Sequence, residues 1–383
     1  MSAILEMPKK VVEGLGTVNV LPELLLENGI RSAGVISDPA VIHLDCVEKV
    51  LARIEESGCS VRIYDRIYGE PDFESINRLC GSEALRGCGA VLAFGGGSVI
   101  DTAKLYCAIA VNPEFARSPE NPALIEKKGL PLFAVPTTAG TGAEATPNAI
   151  LYHRQKKQKM GIVSRKMIAD TVILDGEMTA GLPKALAAST GFDALSHAME
   201  SFVSKKANPY SDMFALEAMR LIFKSLVPAC RDNLADARQD MLLASFYAGV
   251  CLVTASTHVV HAMAYPLAEE YHVPHGKGIA ALLVPGMEEI RKSAGERMEH
   301  IASHCLIKEN GACPKDGAGR LITAMRDIQQ ELGMDCGLAQ FGVKAEDCGR
   351  MAEKALENRR LFDNCPADLC LADVERIYRG MLS

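Results

Sequence analysis

The chain has 383 residues, 48% of them hydrophobic and 23% charged, and a formal net charge of −7, which is enough for two domains with sizeable cores and typical of an ordinary globular protein. The acidic balance, with RQKKQK at 154–159 as its densest basic run, argues against nucleic-acid or anionic-membrane binding. No apolar stretch approaches the roughly 20 residues that cross a bilayer, and MSAILEMPKK lacks the pattern of a secretory leader, so a cytoplasmic chain with no membrane partner is expected. The thirteen cysteines run from Cys46 to Cys370 without a C-x-x-C pair, which predicts small core residues in a reducing compartment.

From the N-terminus, short β-branched runs alternate with helical patterns: AGVISD (33–38), VRIYD (61–65), AVLAF (90–94), LFAVPTT (132–138) and TVILD (171–175). Such alternation predicts parallel strands with crossover helices. Asp38, closing the first run, is placed to accept hydrogen bonds from an adenosine ribose and to repel a 2′-phosphate, which favours NAD over NADP. A turn or helix cap would read the same. The third run leads into Gly95, Gly96, Gly97 and Ser98 and then into VIDTAKLYCAIA, a helical pattern. That order lets backbone N–H groups approach a pyrophosphate at a helix N-terminus. It is neither G-x-G-x-x-G nor a P-loop, and a tight strand-to-helix turn would look alike. PTTAGTGAE (136–144) follows the next strand, and Thr137, Thr138 and Thr141 around its glycines can grip ribose and phosphate oxygens. Two such loops at successive strand ends predict a nucleotide crevice.

Beyond about residue 180 the pattern changes to long amphipathic segments without convincing strands, and Gly and Pro interrupt it at GLPK, 181–184. The expectation is an α/β domain over 1–182 and an all-helical domain over 183–383. In GFDALSHAMESF, Asp193 and His197 lie four apart on one helix face, a spacing that an ordinary i,i+4 hydrogen bond would also explain. His261, in the helical run VVHAMAY, and His275, in a loop after Pro274, can converge with them. Three neutral imidazoles and one carboxylate suit a divalent transition metal, whereas a structural zinc site would more often use thiolates. His258 and His272 fall in the same short segment, 258–275.

Taken together, GGGSVIDTAK (95–104), PTTAGTGAEAT (136–146), GFDALSHAMESF (191–202), HAMAYPL (261–267) and VPHG (273–276) resemble the iron-dependent, group III metal-dependent alcohol dehydrogenases over essentially the whole chain. The resemblance implies a dehydroquinate synthase-like architecture, with a Rossmann-like α/β N-terminal domain, an all-α C-terminal domain and an active site in the cleft between them. It also implies that Asp193, His197, His261 and His275 are metal ligands, for Fe2+ or alternatively Zn2+. Gly95, Gly96, Gly97 and Ser98 would form the pyrophosphate loop for NAD, with Thr137, Thr138 and Thr141 on the nicotinamide side and Lys159 near the ribose. Asp38 matches the aspartate linked to NAD preference, and Asn148 a substrate-pocket position of lactaldehyde/propanediol reductases. The sequence departs from the family at Tyr265, where HAMAH has a relay histidine, and at Cys365-Pro366-Ala367, where Asn-Pro-Arg is usual. Thr257 and His258 replace a larger apolar residue and a glycine, making that stretch of pocket wall more polar, unless the His258 ring packs between helices, which the sequence allows equally.

The activity implied is reversible NAD(H)-dependent, metal-dependent hydride transfer on a short polar primary alcohol or aldehyde, lactaldehyde-like or bearing a sulfonate or carboxylate. Protons would pass through the cofactor ribose, water, His272 or Tyr265, although a surface loop histidine would read the same as His272, and the chain would form a homo-oligomer, a dimer. Two alternatives stand beside this reading. One is a glycerol dehydrogenase-type enzyme on the same fold, disfavoured by the wording of GFDALSHAMESF. The other is a non-catalytic NAD- and metal-binding sensor or assembly subunit, for which the change at Tyr265 speaks and the intact ligand quartet does not.

Overall fold

The computed structural model describes residues 3–154, 158–306 and 316–382. Two compact units emerge: residues 6–182 with 238–249 form one, and residues 183–237 with those from 250 onward form the other. The first unit carries eight strands: β1 (Lys10–Glu13), β2 (Ser32–Ser37), β3 (Ser60–Tyr64), β4 (Ala90–Gly95), β5 (Leu132–Pro136), β6 (Asn148–His153), β7 (Gln158–Val163) and β8 (Thr171–Leu174). Six make a parallel sheet in the order β1-β8-β5-β4-β2-β3. Every residue of β4, β5 and β8 is buried, as expected of central parallel strands covered on both faces.

The strand order creates the place where a ligand can bind. From β2 the chain moves outward to β3, then returns to β4 on the other side of β2. Connections therefore leave the carboxyl ends of β2 and β4 in opposite directions, and the reversal opens a crevice there. Because Ser37 pairs with Phe94, Asp38 and the glycine run start from adjacent strand ends. Two features were not read from the sequence. β1 is a four-residue edge strand whose short KVVE run gives little pattern. β6 and β7 form a separate antiparallel ribbon, and the basic cluster at 154–159 spans its connection, whose residues 155–157 lie outside the described residues.

In the second unit the helix Lys184–Val203 is central. From Ala188 to Val203 all but Thr190 are buried, so this helix has no solvated face and its polar side chains must find partners inside the protein. It packs against the helices Pro209–Arg231 and His275–Cys305. Among the described residues no strand follows Leu174, and no single helix is long and apolar enough to cross a membrane. The stretch 238–249, inside the helix Ala235–Ala255, goes with the α/β unit for a local reason. Arg238 Nε donates to Gly176 O at 3.0 Å, Gly176 N donates to Gln239 Oε1 at 2.8 Å, and Gln239 Nε2 donates to Leu174 O at 3.0 Å. Gly249 meets Gly142 so closely that a Cβ there would lie 2.4 Å from the Gly142 carbonyl oxygen.

Candidate active site

At the end of β4 the backbone turns through Gly96 into the helix Gly97–Val111, and no side chain caps that helix. A fifteen-residue helix with an uncapped N-terminus presents free N–H groups and positive dipole to an anion. Neighbouring threonines explain the glycines: a Cβ on Gly96 would lie 3.0 Å from Thr138 Oγ1, and one on Gly97 would lie 2.9 Å from Thr141 Oγ1. Thr137 N donates to Gly95 O at 3.1 Å, tying the two loops at their base. Ser98, Thr137, Thr138 and Thr141 thus gather around one helix start. Asp38 caps the short helix Pro39–Ile42, its Oδ1 accepting from Ala40 N and Val41 N at 2.9 Å each. The capping role weighed for it is therefore real, and both bonds fall on one oxygen. Lys159 Nζ is paired with Glu70, and the Asn148 carbonyl accepts from Lys104.

Lys104 was not singled out in the sequence. It lies two turns along the Gly97 helix, fully buried, and its ammonium donates to Ala143 O, Thr146 O and Asn148 O at 2.6, 2.7 and 2.6 Å. One helix therefore carries the glycine turn at its start and, further on, the amine that ties down the threonine loop. Burial pushes the Lys104 ammonium down to about 8, against the opposing charges of Asp101 and Glu144.

In the helical unit, Asp193 and His197 occupy adjacent turns of the buried central helix. His261 comes from the helix Val259–Tyr271, and His275 opens the helix His275–Cys305. Gly276 lets that last helix approach, since a Cβ there would lie 2.6 Å from Ser189 O. The Nε2 atoms of His197, His261 and His275 stand 3.7, 3.5 and 3.4 Å from one oxygen, Asp193 Oδ1. Asp193, His261 and His275 offer ligand atoms all within 4.8 Å of one another, and the His197 ring stacks on that of His261 with centroids 4.7 Å apart. Asp193 Oδ1 and His261 Nε2 are buried and have no hydrogen-bond partner. Ligands about 2.1 Å from a tetrahedral ion would be about 3.4 Å apart, so the spacing and the orphaned atoms both fit a divalent metal. Burial pushes the Asp193 carboxyl up, but His197, His275 and His261 outweigh it and hold it well below the usual carboxylate range. Burial lowers His197 to about 4, which keeps its ring in the neutral form that ligation needs.

Glu200 completes the cluster. It lies one turn beyond His197, is fully buried, and its Oε2 is 2.5 Å from His261 Nδ1. The spacing 193, 197, 200 on one helix face was its signal in the sequence, obscured because a glutamate on an apolar helix carries no motif of its own.

Residues 8–176 match the iron-containing alcohol dehydrogenase family, and residues 187–382 match the C-terminal part of the Fe-containing alcohol dehydrogenase family. The chain belongs to the iron-containing alcohol dehydrogenases. As a member it is a metal-dependent alcohol/aldehyde oxidoreductase acting on CH–OH groups. It is 31% identical over 367 residues to the lactaldehyde reductase of Escherichia coli (strain K12), covering 95% of this chain and 96% of that one. Among solved structures it is similar to a 1,3-propanediol oxidoreductase, with a TM-score of 0.91, 29% identity and all of both chains covered. It is also similar to the sulfoacetaldehyde reductase from Bifidobacterium kashiwanohense in complex with NAD+, with a TM-score of 0.87, 25% identity and 100% and 99% of the two chains covered.

The remaining sequence-derived positions in this alcohol dehydrogenase are less uniform. His258 was expected in the pocket wall, but its side chain has no solvent-accessible surface, both ring nitrogens lack hydrogen-bond partners, and Nδ1 lies 3.2 Å from Glu200 Oε1. Burial lowers its basicity, with Glu200 opposing. A ring so enclosed offers a substrate nothing to rest on, so its place is beside Glu200. Thr257 is buried too, its carbonyl accepting from Asn364 Nδ2 at 3.3 Å. Tyr265 is half-buried one turn after His261, and burial pushes its phenol up, away from easy proton release. His272 is exposed and closes its helix in a left-handed conformation, φ 54°.

Proposed function

We propose that the chain interconverts a short polar primary alcohol and its aldehyde by hydride exchange with NAD. The observation that carries this reading is the convergence of three imidazole Nε2 atoms on one buried carboxylate oxygen that has no hydrogen-bond partner. Asp193, His197, His261 and His275 would hold the metal, iron by family membership, with zinc equally suited to the N/O donor set. When bound, such an ion acts as a Lewis acid toward an alcohol or carbonyl oxygen.

The chain's own residues would do the rest. Uncapped N–H groups at Gly97 and Ser98 would bind the pyrophosphate, with Gly95 and Gly96 keeping the approach open. Thr137, Thr138 and Thr141 would line the nicotinamide side, and Asp38 would offer Oδ2 to a ribose hydroxyl. Lys159 would reach the ribose by exchanging its Glu70 partner. Asn148 would face the substrate. Tyr265, with its raised phenol, is the weaker proton carrier, and exposed His272 the better one. Burial of His258 removes the main support for an anionic substrate, so an uncharged hydroxyaldehyde of the lactaldehyde type is the reading favoured.

The test is loss of NADH absorbance with short aldehydes, plain, hydroxylated and sulfonated, on protein reloaded anaerobically with ferrous or zinc ion. Turnover is expected with the hydroxyaldehydes, and Asp193→Asn should abolish both metal retention and rate. No turnover with any aldehyde under either metal, or full metal retention by Asp193→Asn, would sink the proposal.

A further inference from the structure

Glu200 makes more contacts than a structural cap needs. Its Oε1 accepts from the backbone N–H groups of His258 and Val260 at 3.1 and 2.8 Å, which satisfies the start of the helix Val259–Tyr271 with one oxygen. Its Oε2 faces His261 Nδ1 at 2.5 Å, with Ser196 Oγ more distant at 3.4 Å. An ionised carboxylate only accepts, so the proton of that bond sits on His261 Nδ1. In the neutral ring that ligation needs, the lone pair is then on Nε2, the atom that points to Asp193 Oδ1 at 3.5 Å and has no hydrogen-bond partner.

We propose that Glu200 is a positioning residue that sets the tautomer and orientation of His261 and, through that ring, the metal affinity of the site. The inference rests on the metal-site reading given above. Carboxylates behind ligating histidines raise ligand basicity and fix the ring, and their loss typically lowers metal affinity about 10–100-fold. Glu200→Gln separates this role from capping. With Oε1 still held by two N–H donors, the amide NH2 takes the place of Oε2 and donates to His261 Nδ1. The ring proton must then move to Nε2, and no lone pair is left toward Asp193.

The experiment measures the Zn2+ dissociation constant of the full chain by competition with a chromogenic chelator, for Glu200→Gln, His261→Ala and the double variant, with melting of the metal-free proteins as the folding control. Glu200→Gln is expected to weaken zinc about 10–100-fold, and to add no further loss in the His261→Ala background, where no ring remains to be oriented. Glu200→Asp, still an anion but one methylene shorter, is expected to shift affinity in the same direction and serves if the glutamine variant does not fold. Wild-type zinc affinity in Glu200→Gln, or a loss that adds in full to that of His261→Ala, overturns the inference. If Asp193→Asn and His261→Ala bind zinc as tightly as the wild type, the metal-site reading itself fails and takes the inference with it.

Discussion

Replacing Lys104 by methionine keeps the stem of the side chain and its approximate volume while deleting one buried charge and its donors. An ammonium has three N–H groups, and the carbonyls of Ala143, Thr146 and Asn148 at 2.6–2.7 Å use all of them. Asp101, buried on the preceding turn of the same helix, has Oδ1 4.0 Å from Nζ and Oδ2 accepting from Ile150 N at 2.9 Å. Lys104→Met therefore removes a charged donor from all three carbonyls, of which Ala143 O still accepts from Thr146 N at 3.2 Å, and leaves the Asp101 charge without its counter-ion. Hydrogen bonds to charged groups contribute about 1.5–3 kcal/mol each, but much of that is offset by dehydrating the ammonium. Breaking a buried ion pair from one side, at about 3–5 kcal/mol, is the better guide because all the partners are enclosed. The α/β unit is expected to lose about that much, with the effect largest at 143–150. Two units need not unfold together, so a single denaturation curve is the wrong instrument and native-state hydrogen exchange the right one. Amides in 143–150 should lose protection in Lys104→Met, while those in 188–203 should not. Wild-type protection at 143–150 would refute the claim that this amine ties the threonine loop to the glycine helix.

Three further outcomes are expected. Burial pushes the Glu144 carboxyl from 4.5 up to about 7, with its own backbone N–H and Lys104 opposing; Oε1 has no hydrogen-bond partner. Between those values the folded state holds a proton that the unfolded state does not, so this group's contribution to stability falls as pH rises through the window. Glu144→Gln should thus be nearly neutral below it and stabilising above it by up to about 3 kcal/mol, and a pH-independent difference between the two proteins would contradict this. Gly97→Ala brings a Cβ to 2.9 Å from Thr141 Oγ1 and should raise the KM for NADH while leaving metal content unchanged; an unaltered KM would remove the glycine turn from cofactor binding. Asp38→Ala should raise the ratio of NADPH to NADH use, and should cost about 1 kcal/mol for the lost cap; an unchanged cofactor ratio would leave Asp38 with its capping role alone.

Much of this molecule was legible along the chain because its signals are local. The runs at 33–38, 90–94, 132–138 and 171–175 are continuous apolar segments between turn residues, and they became β2, β4, β5 and β8. The glycine run had to follow a strand and open a helix, and that order is written in the sequence. β1 and the β6–β7 ribbon were missed because a four-residue edge strand and a ribbon outside the main sheet owe their form to neighbours distant in the chain.

The chemistry divides in the same way. Residue types and spacing were enough to nominate Asp193, His197, His261 and His275, because ligation demands particular atoms and a helix repeats its face every three or four residues. Which side chains stand behind those atoms was settled only by packing. Glu200 touches His261 across 61 positions, and Lys104 reaches carbonyls 39 to 44 residues away. For His258 the sequence left a pocket residue and a ring packed between helices equally open, and the fold closed over it. Buried polar groups must pair with whatever the tertiary structure brings within reach, and that pairing has no local pattern for a sequence to display.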